Sequence, residues 1–498
     1  MENSVFGIRT GGIRARKAYF IPNPKARYKL GLLLLLFCDI LILAGLFAVS
    51  YGARKSLVPL VIPGSPVFDP KLEAYYWIFP LWLAMLAYNG GYSRRMTFWD
   101  EVHFLWKSTL FVSFAMFSIF FLGKIGPGFS RIFISVLSAI SLILFPLLRT
   151  SAKRALYSLD LLKRKIIILG AGEAGMKALS VLKKEGNLGY EVAAFIEDRG
   201  PLTGPRKKID GIKVHGFLGK ADRYITRCSI HDVLIAYPGL DKERLSTIIN
   251  RVQQKAENTL FVPDLAGVAV LGTEMRHFFK EHSLLIEFKN NLARPLNYYS
   301  KRALDYLIGS AVFFLLIGPL LLIALLIRIS SPGRAIFSHK RIGKGGRPFR
   351  CYKFRTMYRN AEEELEDILE RDPSAREEWR KYSKLRDDPR VTPLGRFLRS
   401  TSLDELPQIF NVFKGEMSLI GPRPLVEREW NSMARYREIV LSVPPGITGL
   451  WQVSGRNGNT LEKRLTLDCW YIRNWSLWLD LVILFKTLYV VFKREGAS

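Results

Sequence analysis

The chain has 498 residues, enough for two or three domains, and its 73 lysines and arginines against 44 aspartates and glutamates leave a net charge of +29. That surplus calls for an anionic partner, yet 49% apolar residues and a mean hydropathy of +0.10 are more than a soluble nucleic-acid binder of this size carries. Membrane lipid or a phosphorylated substrate is the better partner class, and the four scattered cysteines form neither a CxxC pair nor a metal-ligand spacing.

In chain order, the first element is LGLLLLLFCDILILAGLFAVSYG from Leu30, whose only charge is Asp39 and whose length suffices to cross a hydrocarbon core of roughly 30 Å. Similar runs near 75–92, 104–123 and 130–148 make residues 1–150 a four-helix transmembrane domain. A signal peptide fits poorly, because the first run is long and three more follow it. Basic residues ahead of the first run, at Arg94 and Arg95, and from Arg149 through Lys153 to Lys165 place these three segments on the cytoplasmic side. Asp39 has no evident partner and is given no role.

Next, RKIIILGAGEAGMKAL is a short apolar strand, a G-x-G-x-x-G turn at Gly170, Gly172 and Gly175, and a helical pattern. GYEVAAFIED gives a second strand ending at Asp198. Such a turn lets backbone N–H groups approach a pyrophosphate at a helix N-terminus, while the acid holds a ribose hydroxyl. With HDVLIAYPG as a later parallel strand, residues 151–295 read as a Rossmann-like α/β domain. Whether it holds a nucleotide stays open: Tyr157, Tyr190, Tyr224 and Tyr237 all lack a lysine four positions on, and a scaffold duty compatible with a homodimer is an equal reading.

The run ALDYLIGSAVFFLLIGPLLLIALLIRI at 303–329 is about 40 Å long as a helix and contains Gly318-Pro319. Basic residues flank both of its ends, Lys301 and Arg302 before, Arg328 and Arg334 after, so a re-entrant helix that breaks at Pro319 satisfies the charge pattern. A strand follows in GKGGRPFRCYKFRTM, where Lys353 and Arg355 alternate with Tyr352 and Phe354, and then a highly charged helical stretch at 359–388 broken by Pro373.

The stretch TSLDELPQIFNVFKGEMSLIGPRP sets Asp404 beside Glu405. Ser402 followed by Glu405 fits a helix-capping box, although Pro407 sits badly in it. The two acids also lie among Lys353, Arg355, Arg399, Arg423 and Arg456, cations suited to two phosphates. Among such cations an aspartate is expected to have a lowered pKa and can attack phosphorus, and an adjacent acid suits Mg²⁺.

FRCYKFRTM, RVTPLGRFLRSTSLDELPQIFNVFKGEMSLIGPRP, PGITGLWQVSGRN and LDCWYIRNWSLWLDLVILFKT together resemble the bacterial polyprenyl-phosphate hexose-1-phosphate transferases, the monotopic phosphoglycosyl transferases, over 296–498. The whole chain resembles their long members, and among these the galactose phosphotransferases of O-antigen synthesis. The resemblance implies a mixed α/β catalytic domain with a re-entrant helix, facing the cytoplasm at the bacterial inner membrane. It implies transfer of hexose-1-phosphate from a UDP-sugar to undecaprenyl phosphate, with release of UMP. Asp404 would be the nucleophile and Glu405 the Mg²⁺ ligand. Lys353, Arg355, Arg399, Arg423 and Arg456 would face phosphate, and Asp468 would be a further acid of the site. Gly318 stands where the family commonly has serine before the proline. In the terminal segment Trp470, Tyr471, Trp475 and Trp478 fit either a bilayer interface or a buried core. The rival readings are a membrane-tethered NAD-dependent nucleotide-sugar dehydratase and a non-catalytic assembly protein of polysaccharide export.

Overall fold

The computed structural model describes residues 24–63, 75, 77–122, 130–197, 208–216, 225, 230, 232–263, 274–278, 283–287, 291–382, 385, 388–429, 433, 436–455 and 460–493. The chain divides into two compact units, Met1–Asp264 and Leu265–Ser498.

The first unit begins with helices α1 (Pro24–Ser56), α2 (Ile78–Tyr88), α3 (Phe98–Leu122) and α4 (Arg131–Ser158). Three of them, α1, α3 and α4, are long and apolar enough to cross a membrane. The run expected at 75–92 differs. It forms the 11-residue α2, about 16 Å long, which ends where Asn89, Gly90 and Gly91 leave the helix. Leu46, Trp82, Leu105, Val112, Phe133 and Phe145 form the bundle core, whereas Leu33, Phe37, Leu41 and Phe114 face outward, as an apolar solvent would require.

Within this bundle Asp39 does have a partner. The fully buried Arg149 guanidinium donates to its carboxylate at 3.1 Å and to the Gly91 carbonyl at 2.9 Å, and lies 3.3 Å from Glu101. Lys153 donates to Glu101 at 2.9 Å, and Tyr92 donates its hydroxyl to Asp39 at 2.8 Å. Two acids and two bases thus neutralise one another out of water. Arg149 and Lys153 are therefore buried ion-pair members and not the solvated topology charges that the sequence count made of them.

The same unit continues as a six-stranded sheet. Its strands are β1 (Arg164–Leu169), β2 (Tyr190–Glu197), β3 (Lys208–Ile209), β4 (Ile212–Gly216), β5 (Asp232–Ile235) and β6 (Asn258–Phe261), in the order β3-β4-β2-β1-β5-β6. All neighbours pair in parallel except β3 and β4. Helices α5 (Glu173–Lys184) and α6 (Lys242–Gln253) join them, so the expected Rossmann-like topology is present. Its GAGEAG turn has the geometry that the glycines imply. Gly170 sits at φ +106°, and a Cβ on Gly175 would lie 2.0 Å from the Gly170 carbonyl. Asn187, between α5 and β2, donates to Glu101 at 2.6 Å and ties this sheet to the bundle.

The second unit opens with the hairpin β7 (Glu274–Phe278) and β8 (Ser283–Glu287), then α7 (Pro295–Ser330). Antiparallel β9 (Ile336–Ile342) and β10 (Pro348–Phe354) follow, then α8 (Ala361–Arg371), α9 (Pro373–Tyr382), α10 (Pro393–Thr401) and α11 (Ile409–Phe413). Parallel β11 (Ser418–Ile420) and β12 (Gly446–Thr448) lead to α12 (Leu461–Arg473) and α13 (Leu477–Lys493). Phe349, Cys351, Ile409, Val412, Ile420, Tyr471 and Trp475 make its core. Tyr471 and Trp475 both donate to the buried Asp480, so these two aromatics are core residues, while Trp470 is exposed.

Helix α7 stays helical through Pro319, where a break was expected. A proline there removes one hydrogen bond and admits a kink without ending the helix. Its first turns are fixed by Lys301 to Asp480 at 2.8 Å, by Arg302 to the Met417 carbonyl at 2.8 Å, and by Ser418 to Asp305 at 2.7 Å. Past the proline, Leu320, Ile323, Ala324 and Ile327 pack on Ala335, Phe354, Leu394, Leu398 and Leu403. The rest of its surface, with Phe314, Leu315, Leu321, Leu322 and Leu325, is exposed.

Candidate active site

Three elements converge on Asp404. Helix α10 starts at Thr392, whose hydroxyl accepts from the Gly395 N–H at 2.9 Å, and ends at Ser402 in the left-handed region, φ +57°. Ser402 reverses the chain into a 3₁₀ turn, Leu403–Gln408, which contains Pro407 and presents Asp404 and Glu405 in its first turn. The capping box expected at Ser402 does not form. Its side chain makes no cap bond, because it closes one helix instead of opening the next.

Strand β10 brings Lys353 to the acids. Its ammonium donates to Glu405 at 2.6 Å and lies 4.0 Å from Asp404. Arg399, on the last turn of α10, donates to the Thr356 hydroxyl at 2.9 Å; burial lowers its pKa, and the charge of Asp404 works against that fall. Buried Asn411 of α11 accepts from the Tyr352 N–H at 3.1 Å and donates to the Arg350 carbonyl at 2.7 Å, which fixes the edge of β10 that carries Lys353.

The electrostatics correct one expectation. Asp404 is raised above the ordinary aspartate range: burial is the largest cause and Glu405 adds to it, while Lys353 and Arg399 pull the other way. Desolvation outweighs the cations that were expected to lower it.

Arg355 does not accompany Lys353 toward the acids. Strand β10 ends at Phe354, so the alternation that paired Lys353 with Arg355 stops, and the Arg355 fork turns away to the carbonyls of Ser331 and Pro332 at 2.6 and 2.8 Å.

Asp468, on α12, anchors a second group of charges. Its carboxylate is 2% exposed, accepts from the Arg423 backbone N–H, and is pushed up to about 7 by burial against the pull of Arg464 and Arg423. The Arg423 and Arg464 guanidiniums stand 5.5 and 5.9 Å from the Trp451 ring. Asp468 Oδ1, Arg464 Nε, Trp451 Nε1 and Gln452 Oε1 are buried without hydrogen-bond partners. Arg423, Lys353 and Glu405 all act on the Cys351 thiol, pushed up to about 11 by burial, so both groups border the same stretch of β10. Arg456 and Asp198 lie outside the described residues. In the first unit Glu197, one residue before Asp198, ends β2 and accepts from the Ala171 N–H of the glycine turn and from the Tyr237 hydroxyl.

Sequence reasoning passed over Thr356, Asn411, Trp451 and Arg464. Only Asn411 carried a signal, as a lone amide inside the apolar run IFNVF.

Residues 296–494 match the bacterial sugar transferase family, and residues 88–263 match a CoA-binding domain. A UDP-galactose-lipid carrier transferase of Erwinia amylovora is 37% identical over 406 residues, 82% of this chain and 84% of that one. This chain belongs to the bacterial sugar transferases. An undecaprenyl-phosphate galactose phosphotransferase of Salmonella typhimurium is 38% identical to this sugar transferase over 408 residues, again 82% and 84% of the two chains. A UDP-glucose:undecaprenyl-phosphate glucose-1-phosphate transferase of Escherichia coli is 31% identical over 67% of this chain and 69% of its own. The sugar transferase is a membrane protein by its apolar helices and an enzyme by its family.

Proposed function

We propose that this enzyme transfers hexose-1-phosphate, with galactose as the hexose, from a UDP-sugar to undecaprenyl phosphate and releases UMP. The observation that carries the reading is the half-buried pair Asp404 and Glu405 held against Lys353 and Arg399, inside a domain shared with relatives named for this transfer. Galactose is preferred to glucose because the relatives named for galactose match a larger share of the chain at higher identity.

In this reading an Asp404 oxygen attacks the β-phosphorus of the donor. The phosphoanhydride bond to the α-phosphate breaks, UMP leaves with the bridging oxygen, and an aspartyl phosphosugar remains. An oxygen of undecaprenyl phosphate then attacks the same phosphorus and releases Asp404. Lys353 and Arg399 neutralise phosphate oxygens during both steps. Arg423 faces the phosphates from the side of Asp468.

Mg²⁺ fits this arrangement in one respect. Among the described residues no three His, Cys, Asp or Glu side chains come together, so a cage made only of protein is absent. Mg²⁺ commonly takes one or two carboxylates plus substrate phosphates, and Glu405 beside Asp404 meets that requirement while also accepting from Lys353. When bound, the ion would polarise phosphate oxygens.

Both ends of α7 are fastened to the same unit, the first through Asp480 and Ser418, the last through Phe354 and Arg355, while its apolar middle stays exposed. This supports a helix that dips into one leaflet and leaves catalysis on the cytoplasmic face of the inner membrane, where UDP-sugars are found. Purified enzyme with Mg²⁺, undecaprenyl phosphate and a panel of UDP-sugars tests the proposal: UMP should appear with UDP-galactose, and Asp404→Asn should abolish it. UDP as the product, or an active Asp404→Asn variant, refutes the reading.

A further inference from the structure

We infer that Arg355 is a positioning residue for the reaction, acting through α7, and not a phosphate ligand. The inference rests on reading Asp404 as the nucleophile.

The three charged groups around the reaction centre share one support. Lys353 is followed by Phe354, Arg399 is preceded by Leu398, and Asp404 is preceded by Leu403, and all three apolar neighbours belong to one hydrophobic cluster with Leu320, Ile323, Ala324 and Ile327 of α7. Phe354 and Leu398 are 4% and 0% exposed, so this layer has little slack. The C-terminal end of α7 is therefore the shelf on which the nucleophile and its two nearest cations rest.

Arg355 fastens that shelf at its end. Its fork donates to the consecutive carbonyls of Ser331 and Pro332, where α7 gives way to an extended chain. Its own N–H donates to the Ala335 carbonyl at 2.9 Å. The turn between has Gly333 at φ +122°, where a Cβ would stand 2.4 Å from the Arg355 Nη1. The loop is shaped around the guanidinium, and a planar fork satisfies two adjacent carbonyls that an ammonium would meet one at a time. Because one face of the shelf is exposed apolar surface, including Leu321, Leu325 and Ile329, its seat also depends on what surrounds α7. Arg355 links that seat to β10 and so to Lys353.

The test separates positioning from contact. In the first half-reaction, without undecaprenyl phosphate, UMP release from the UDP-sugar is timed in a single turnover, and UMP binding is measured on the same preparation in lipid nanodiscs. Arg355→Ala should slow UMP release about 10- to 100-fold, as a displacement near 1 Å does, with UMP affinity changed less than threefold. Arg355→Lys keeps the charge and should show the same split. Ile327→Ala, which thins the shelf without touching Arg355, should slow release in the same manner. A tenfold or greater loss of UMP affinity in Arg355→Ala, or a wild-type rate in Arg355→Lys, overturns the inference. If Arg355→Ala fails to fold, the Lys and Ile327 variants decide alone. Asp404→Asn run alongside keeps the two readings apart: residual UMP release there sinks the nucleophile assignment, whatever Arg355 does.

Discussion

Asp468→Asn offers a quantitative check on the electrostatics of the site. The Asp468 carboxyl, 2% exposed, is pushed up to about 7 by burial, from an unfolded-chain value near that of an ordinary aspartate. A folded-state value above the unfolded one means that the folded protein holds the proton more tightly. The stabilisation is complete below the unfolded value and is lost as pH rises through the folded one. Between pH 5 and pH 8 the wild type should lose about 2.5 kcal/mol through this group, at about 1.4 kcal/mol for each unit over which only the unfolded chain gives up its proton. Asparagine does not titrate, so the variant should lack this loss. For a folding unit of this size the difference corresponds to roughly 5–10 °C in Tm. Thermal unfolding of both proteins in detergent at pH 5, 6, 7 and 8 makes the comparison, and other titrating groups cancel between them. Two curves that run parallel across the range would refute the assignment of a proton-holding, poorly solvated Asp468.

Three further outcomes are expected. Because burial already raises Asp404 and Lys353 is the largest influence opposing the rise, transfer should fall on the acid side above the ordinary aspartate range, and Lys353→Met should move that limb to higher pH in a rate profile. Gly395→Ala would place a Cβ 2.0 Å from the carbonyl of Thr356, the residue whose hydroxyl holds Arg399, so UMP release should drop about 10- to 100-fold with the donor still bound. Arg149→Met should cost about 3–5 kcal/mol by leaving Asp39 and Glu101 short of a cation, and Asp39→Leu added to it should restore part of the loss in a thermal scan.

What could be read from the sequence was what repeats along the chain. The glycine turn at Gly170, the strands beside it and the apolar runs announce themselves through spacing, and the structure places a helix or strand at each, although the run at 75–92 yields only a short helix and α7 runs on through Pro319. The dyad was found because its two acids are adjacent and ringed by arginines. What escaped was what depends on distance in three dimensions. Asp39 meets Arg149 across 110 positions, beyond any local pattern. Ser402 matched a capping box, yet Pro393 and Thr392 had already started a helix that ends there. Arg355 reads like Lys353 two residues on, but the strand stops between them and the fork turns to a carbonyl pair. The rise of Asp404 was misjudged for a related reason: counting charges is possible in one dimension, whereas desolvation needs the packing.

The Asp39–Arg149 pair also sets a constraint on how the protein is made. During synthesis at about 5–20 residues per second, α1 enters the bilayer with its carboxylate roughly 5–20 s before Arg149 leaves the ribosome. A lone aspartate at the centre of an inserting helix costs about 2.5–3.5 kcal/mol, a cost that α1 carries over that interval against its long apolar run. Tyr92, which follows within 53 positions, is the first group able to hold it. The Asp39–Arg149 pair itself can form only once α4 has been made, so the charge pairing of the bundle is completed by its last helix.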